Sequence, residues 1–204
     1  GDWINAWGEE GRLLWMLDYL GHPDVKVLYG GIDAYRKPAP AGAGYGDTMV
    51  SSTAPPPVDG SFTSPGVQEQ VKATRDEIEA ALNLGLCNYV FLDTRTEAEY
   101  GGTGSFYSAR TEGHIPNALW YPWKQVFVSA EDGNIRDKAE IRAELEAMGI
   151  TDDSIIVAYC TGGIRSVRAL STSLLCPELC LVHAASHVEA LTHRHSAARN
   201  CGLT

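Results

Sequence analysis

The stretch that most constrains this chain is Ile155-Ile156-Val157-Ala158-Tyr159-Cys160-Thr161-Gly162-Gly163-Ile164-Arg165-Ser166. Its first five residues are apolar and mostly β-branched, the pattern of a buried strand. That strand delivers one cysteine into a glycine-rich turn, and a helix is predicted from Ser166 to about Leu175. In such an arrangement, N–H groups of the turn and of the first helical turn point at the sulfur. The resulting concavity and the helix dipole both favour thiolate over thiol. Gly162 and Gly163 supply the positive φ values that a tight cradle requires.

The rest of the chain supports a sheet around that strand. Val71 to Leu84 reads as an amphipathic helix and Tyr89-Val90-Phe91-Leu92 as a buried strand ending at Asp93. A strand is predicted around Ala118 to Tyr121, a helix over Lys138 to Met148, and a last strand at about Leu179 to His183. Strands alternating with helices imply a parallel sheet covered on both faces, an α/β architecture. Upstream, Arg12 to Leu20 has helical spacing, Val25 to Tyr29 reads as a strand, and Gly30-Gly31 turns the chain into a short helix over Ile32 to Lys37. Between these blocks, Pro38 to Pro65 is rich in Pro, Gly, Ala, Ser and Thr and includes Pro55-Pro56-Pro57, an exposed linker.

Charge and cysteine usage narrow the function classes. A net charge of −10 argues against nucleic acid or an anionic membrane as the main partner. No run approaches the roughly 20 apolar residues that cross a bilayer. Cys87, Cys160, Cys176, Cys180 and Cys201 make an odd count without C-x-x-C spacing, so neither a disulfide framework nor a zinc site is predicted. A reducing intracellular compartment is the expected setting. His183, His187, His193 and His195 are read as scattered surface residues rather than a metal site.

A repeat links the two blocks. Arg12-Leu13-Leu14, the Leu20-Gly21-His22-Pro23 turn, Val25 to Tyr29 and Gly30 to Ala34 run parallel to Arg168-Ala169-Leu170, Leu175-Cys176-Pro177, Leu179 to His183 and Ala184 to Ser186. The chain thus reads as the closing part of one domain followed by a second copy of the same fold.

Three motifs now carry a resemblance: Asp93-Thr94-Arg95 with Tyr100-Gly101, Gly113-His114-Ile115-Pro116-Asn117-Ala118, and Tyr159 to Ser166. Their order and spacing resemble the rhodanese family, and the chain is similar to a tandem-rhodanese sulfurtransferase lacking the start of its first domain. The resemblance implies a rhodanese-like three-layer domain with a central parallel sheet and helices on both faces, preceded by a partial copy. Its boundaries are 1–37 for the remnant of a non-catalytic domain, 38–66 for the linker, 67–195 for the catalytic domain and 196–204 for a tail.

The implied chemistry is transfer of a sulfane sulfur through a Cys160 persulfide, from a small-molecule donor such as thiosulfate or 3-mercaptopyruvate. The implied acceptor is cyanide or a thiol, including that of a thioredoxin-like protein, and no metal or organic cofactor is needed. Cys160 is the nucleophile, and Thr161, Gly162, Gly163, Ile164, Arg165 and Ser166 form the cradle. Asp93 and Arg95 are supporting residues that brace the loop region through an ion pair, and His114 is expected to bond backbone in a turn rather than act as a base. A cysteine-phosphatase loop places five residues between Cys and Arg, whereas four separate Cys160 from Arg165. The shorter loop suits a sulfur atom better than a tetrahedral phosphate.

Four features depart from the family pattern, one of them the closing segment, where His183, Ala184 and Ala185 stand in place of the usual aromatic residue and glycine. Glu99 stands where thiosulfate-preferring members carry a substrate-binding arginine, and Arg110 is a candidate to replace that charge. The cysteine loop lacks their adjacent basic pair, and Asn117 occupies a position where glycine is common. A second reading is a catalytically impaired rhodanese module acting as a binding or regulatory domain, because the remnant leaves Trp15, Leu17 and Val27 without their own sheet.

Overall fold

A computed structural model of the chain describes residues 8–36, 51–104, 113–129, 134–167, 169 and 180–184. Five parallel strands form one sheet: β1 (Lys72–Ala73), β2 (Tyr89–Asp93), β3 (Leu119–Trp120), β4 (Ile155–Tyr159) and β5 (Cys180–Ala184). Their order across the sheet is β1-β5-β4-β2-β3, which places the cysteine-bearing β4 at the centre. All of its neighbours run parallel, with Tyr89 beside Ile155 and Ile155 beside Cys180. Parallel neighbours need crossover connections, and these put helices on the two faces.

The alternation along β4 divides the core. Ile156 and Ala158 point to one face with Leu92, where Ile141 and Leu145 of helix α5 (Lys138–Ala147) cover them together with Ile150 and Trp123. Val157 and Tyr159 point to the other face with Phe91, covered by Ile78 and Ala81 of helix α3 (Arg75–Leu84) and by Ile115. Val157 and Ala158 have no solvent exposure at all, as expected for a strand covered on both sides. The three-layer α/β arrangement is therefore present as predicted.

Three local readings are corrected. The helix expected from Val71 begins only at Arg75, because Thr74 caps it: its hydroxyl accepts from the Glu77 N–H, and the Glu77 carboxylate accepts from the Thr74 N–H at 2.6 Å. That capping box frees Lys72 and Ala73 to pair with β5. Upstream, helix α1 (Glu9–Tyr19) and helix α2 (Gly31–Arg36) form, but Val25 to Leu28 has no regular secondary structure and Tyr29 belongs to the turn into α2. No strand among the described residues lies beside it, and β propensity without a ladder partner leaves backbone groups to water. Cys87 is disulfide-bonded, whereas Cys160 is free. Topology can join cysteines whose sequence spacing shows no pattern.

The first segment is tied to the sheet domain rather than detached from it. Trp15 Nε1 donates to the Val71 carbonyl at 3.0 Å, the Gln68 N–H donates to the Tyr19 carbonyl at 2.8 Å, and Lys72 Nζ lies over the Tyr19 ring. Gly21, with φ of 76°, lets Pro65 approach so closely that a Cβ at that position would meet it at 2.8 Å. The chain from 51 to 68 is exposed and irregular over most of its length, consistent with its composition.

Candidate functional site

Cys160 follows the last residue of β4, so it stands at the carboxyl end of the central strand, where parallel α/β sheets open their loops. It is 6% exposed. The Gly163 N–H, at 3.1 Å, donates to its sulfur, and the Ser166 hydroxyl lies 3.7 Å away. Gly163 has φ of 71°, the left-handed conformation that turns its N–H inward and that glycine adopts without strain. Gly162 faces open space, with nothing within 4 Å of where a Cβ would stand. A short helix starts at Arg165, so its N-terminal turn follows the cysteine directly.

Two buried arginine–carboxylate pairs frame this loop. The first is Asp93 with Arg95, at 2.9 Å and 2.5 Å, with Asp93 wholly buried. Arg95 also donates to the Gly113 carbonyl at 2.6 Å, and its own carbonyl accepts from Trp120 Nε1 at 3.0 Å. Tyr159 joins this group, because its hydroxyl accepts from the Ile115 N–H at 3.0 Å and its ring lies 5.6 Å from the guanidinium. Asp93 and Arg95 thus organise the backbone from Gly113 to Ile115. His114 sits in the same turn, stacked on Tyr100 with its Nδ1 donating to the Tyr100 carbonyl at 2.8 Å.

The second pair lies in the cysteine loop. Arg165 grips Glu99 with two bonds, 2.7 Å to Oε2 and 2.9 Å to Oε1, and donates to the Thr161 hydroxyl at 3.0 Å. Thr161 in turn donates to Glu99 Oε1 at 2.9 Å. Glu99 also caps helix α4 (Glu97–Tyr100), its Oε2 accepting from the Thr96 N–H and hydroxyl as well as from Arg165. Burial pushes the Glu99 carboxyl up, but the Arg165 and Thr96 bonds outweigh it and hold it at about 2. Burial also works against the Arg165 charge, and the Glu99 carboxylate and the Cys160 sulfur more than offset it.

Glu99, by sequence only a departure from a family pattern, is the residue that holds the loop's arginine. The spacing Thr96-x-x-Glu99 is a capping-box signal that could have placed it at a helix start. Its reach to Arg165 has no such local signature. Of the predicted cradle of Thr161, Gly162, Gly163, Ile164, Arg165 and Ser166, Gly163 and Ser166 address the sulfur directly and Arg165 interacts with it through its charge, whereas the Thr161 hydroxyl turns to Glu99. Arg110 and the side chains of Arg168 and His183 lie outside the described residues, as do His187, His193, His195 and Cys201.

Residues 74–188 match the family model for the rhodanese-like domain. The chain belongs to the rhodanese family. Within the family, it is 30% identical over 159 residues to the thiosulfate sulfurtransferase of Pseudomonas aeruginosa, covering 78% of this chain and 53% of that protein. It is also 30% identical over 173 residues to the sulfur carrier protein TtuD of Thermus thermophilus, covering 81% and 56%. The chain spans about half the length of the curated relatives it matches. Its fold matches the 3-mercaptopyruvate sulfotransferase SseA of Escherichia coli with a TM-score of 0.68 at 20% identity, over 93% of this chain and 63% of that one. Asn117, expected to diverge from the family's glycine, has φ of 63°. That is the left-handed conformation, which glycine adopts with less strain than a residue carrying a Cβ.

Proposed function

We propose that this rhodanese domain transfers a sulfane sulfur through a persulfide on Cys160. The carrying observation is the Gly163 N–H donating to a free, buried cysteine sulfur at the carboxyl end of the central strand. The cysteine thiolate attacks the outer sulfur of the donor. With thiosulfate, the donor's S–S bond breaks and sulfite departs with the electron pair; with 3-mercaptopyruvate, the C–S bond breaks and pyruvate departs as its enolate. The new S–S bond leaves a persulfide whose outer sulfur occupies the concavity of loop N–H groups. Cyanide or a thiolate then attacks that outer sulfur, the S–S bond breaks, and Cys160 leaves as thiolate. No cofactor enters the sequence of steps.

Segment 8–36 supports a tandem origin. Its residues run parallel in sequence to Arg168 through Ser186, and the SseA match reaches over 93% of the chain, well beyond residues 74–188. We read it as the end of a preceding rhodanese unit.

Incubation of the purified chain with each donor, followed by intact and peptide mass measurement, tests the transfer. A one-sulfur adduct on the Cys160 peptide, missing from Cys160→Ser, is expected. Absence of an adduct with either donor overturns the proposal.

A further inference from the structure

Arg12 lies 150 residues before the cysteine loop, in the segment that the repeat assigns to another unit, yet its guanidinium Nη1 donates to the Gly162 carbonyl. The contact follows from the register of α1. Arg12, Trp15 and Tyr19 are spaced i, i+3 and i+7, so they share one helix face. Trp15 is anchored on the Val71 carbonyl at 3.0 Å, and the Tyr19 hydroxyl bonds Glu69 and Lys72 at 3.0 Å and 3.3 Å. With two turns of α1 fastened along residues 69–72, the preceding turn delivers Arg12 to the loop that follows β4.

The bond matters because of which peptide it grips. The Gly162 carbonyl and the Gly163 N–H belong to the same peptide group, and in a trans peptide they point in opposite directions. One end of that group meets Arg12, and the other donates to Cys160 Sγ at 3.1 Å. The peptide also lies between two residues without Cβ atoms, so little in the loop itself opposes its rotation. Rotated over, it would turn a carbonyl oxygen toward the sulfur and repel a thiolate.

We propose that Arg12 is a positioning residue for the sulfur chemistry: by holding the Gly162 carbonyl, it fixes and polarises the peptide whose N–H faces Cys160. A charge-assisted bond at the carbonyl strengthens the N–H as a donor to a thiolate or persulfide. The cradle is thereby completed from outside the rhodanese domain. The assignment rests on Cys160 being the sulfur-carrying residue, but its effect on the thiolate is measurable without any transfer.

The test is peptide-resolved alkylation of Cys160 by iodoacetamide from mildly acidic to mildly alkaline pH, in the full chain. Arg12→Met is expected to slow alkylation at neutral pH about three- to tenfold and to move the pH profile upward, because a cation-supported donor is lost. Arg12→Lys restores most of the rate. Trp15→Phe removes the anchor on the Val71 carbonyl while keeping the cation, and moves the profile in the same direction by a smaller amount. Leu13→Ala, at an exposed position of α1, leaves the profile in place. An unchanged profile in Arg12→Met overturns the assignment, and so does an equal displacement in Leu13→Ala. If Arg12→Met does not fold, Trp15→Phe and Leu13→Ala decide: a profile moved by Trp15→Phe and kept in Leu13→Ala supports the role, whereas a profile kept in both, or moved equally by both, overturns it. An altered profile together with no sulfur adduct on the wild-type chain removes the transfer proposal and leaves the Arg12 assignment standing. An adduct with an unaltered profile does the reverse.

Discussion

Asp93–Arg95 and Glu99–Arg165 are the same chemical pair in similarly buried surroundings, and they are used in different ways. Asp93 and Arg95 are two residues apart, and the partners described above, Gly113, Trp120 and the Tyr159 ring, are loop or strand framework. Glu99 and Arg165 are 66 residues apart and join helix α4 to the loop that carries Cys160. One pair builds the floor of the site, and the other sets the shape and charge of the cradle. Burial of an ion pair therefore says little about its role until its remaining partners are named.

Breaking the framework pair is the largest effect expected. Asp93→Asn leaves Arg95 charged and buried, costing about 3–5 kcal/mol in denaturant unfolding, while alkylation of Cys160 in the folded fraction stays near the wild-type rate. A cost below about 1 kcal/mol would erase the distinction drawn between the pairs.

Next comes acid stability. The Glu99 carboxyl is held at about 2 in the folded chain against an ordinary value of 4.5. A lowered folded-state value means stability that is fully present above pH 4.5 and is lost as pH falls towards 2. The contribution is at most about 3 kcal/mol. Glu99→Gln removes it, so the variant's unfolding free energy is lower at neutral pH and flatter across that acid window. Identical acid profiles would show that Glu99 is not clamped as described.

The same substitution changes the charge that an anionic donor would meet. Glu99 offsets the Arg165 charge, so the loop's own cation is a weak attractant for a doubly negative donor. In Glu99→Gln, Arg165 regains its field, and KM for thiosulfate is expected to fall about three- to tenfold, with a smaller change for the singly charged 3-mercaptopyruvate. Equal shifts for both donors would point to a packing effect rather than charge.

The smallest effect is at Asn117, whose φ of 63° costs less for glycine. Asn117→Gly is expected to raise stability by about 0.5 kcal/mol, read from the denaturation midpoint, without altering alkylation of Cys160.

What could be read from the sequence follows a physical divide. The strand Ile155 to Tyr159 and helices such as Lys138 to Ala147 declare themselves through local periodicity and caps, and the order of strands and helices implied a parallel sheet. Val25 to Tyr29 has the same apolar character as a true strand but no ladder partner, which composition cannot reveal. Lys72 and Ala73 fail in the opposite sense: they pair with β5 because Thr74 starts the helix late. At the site, Cys160, Gly162 and Gly163 stand close in sequence, so a turn that aims an N–H at the sulfur is legible locally, although only Gly163 of the two takes a positive φ. Glu99 and Arg12 are not legible, since each meets the loop only because the fold brings distant segments together.

Transfer of a sulfur carried on Cys160 is read most directly by loading the chain with donor, removing the excess by gel filtration, adding cyanide and measuring thiocyanate. Thiocyanate approaching one equivalent per chain is expected, with loss of the sulfur adduct from the Cys160 peptide and none formed by Cys160→Ser. Thiocyanate from Cys160→Ser at the wild-type level, or none from a wild-type chain treated with either donor, would contradict it.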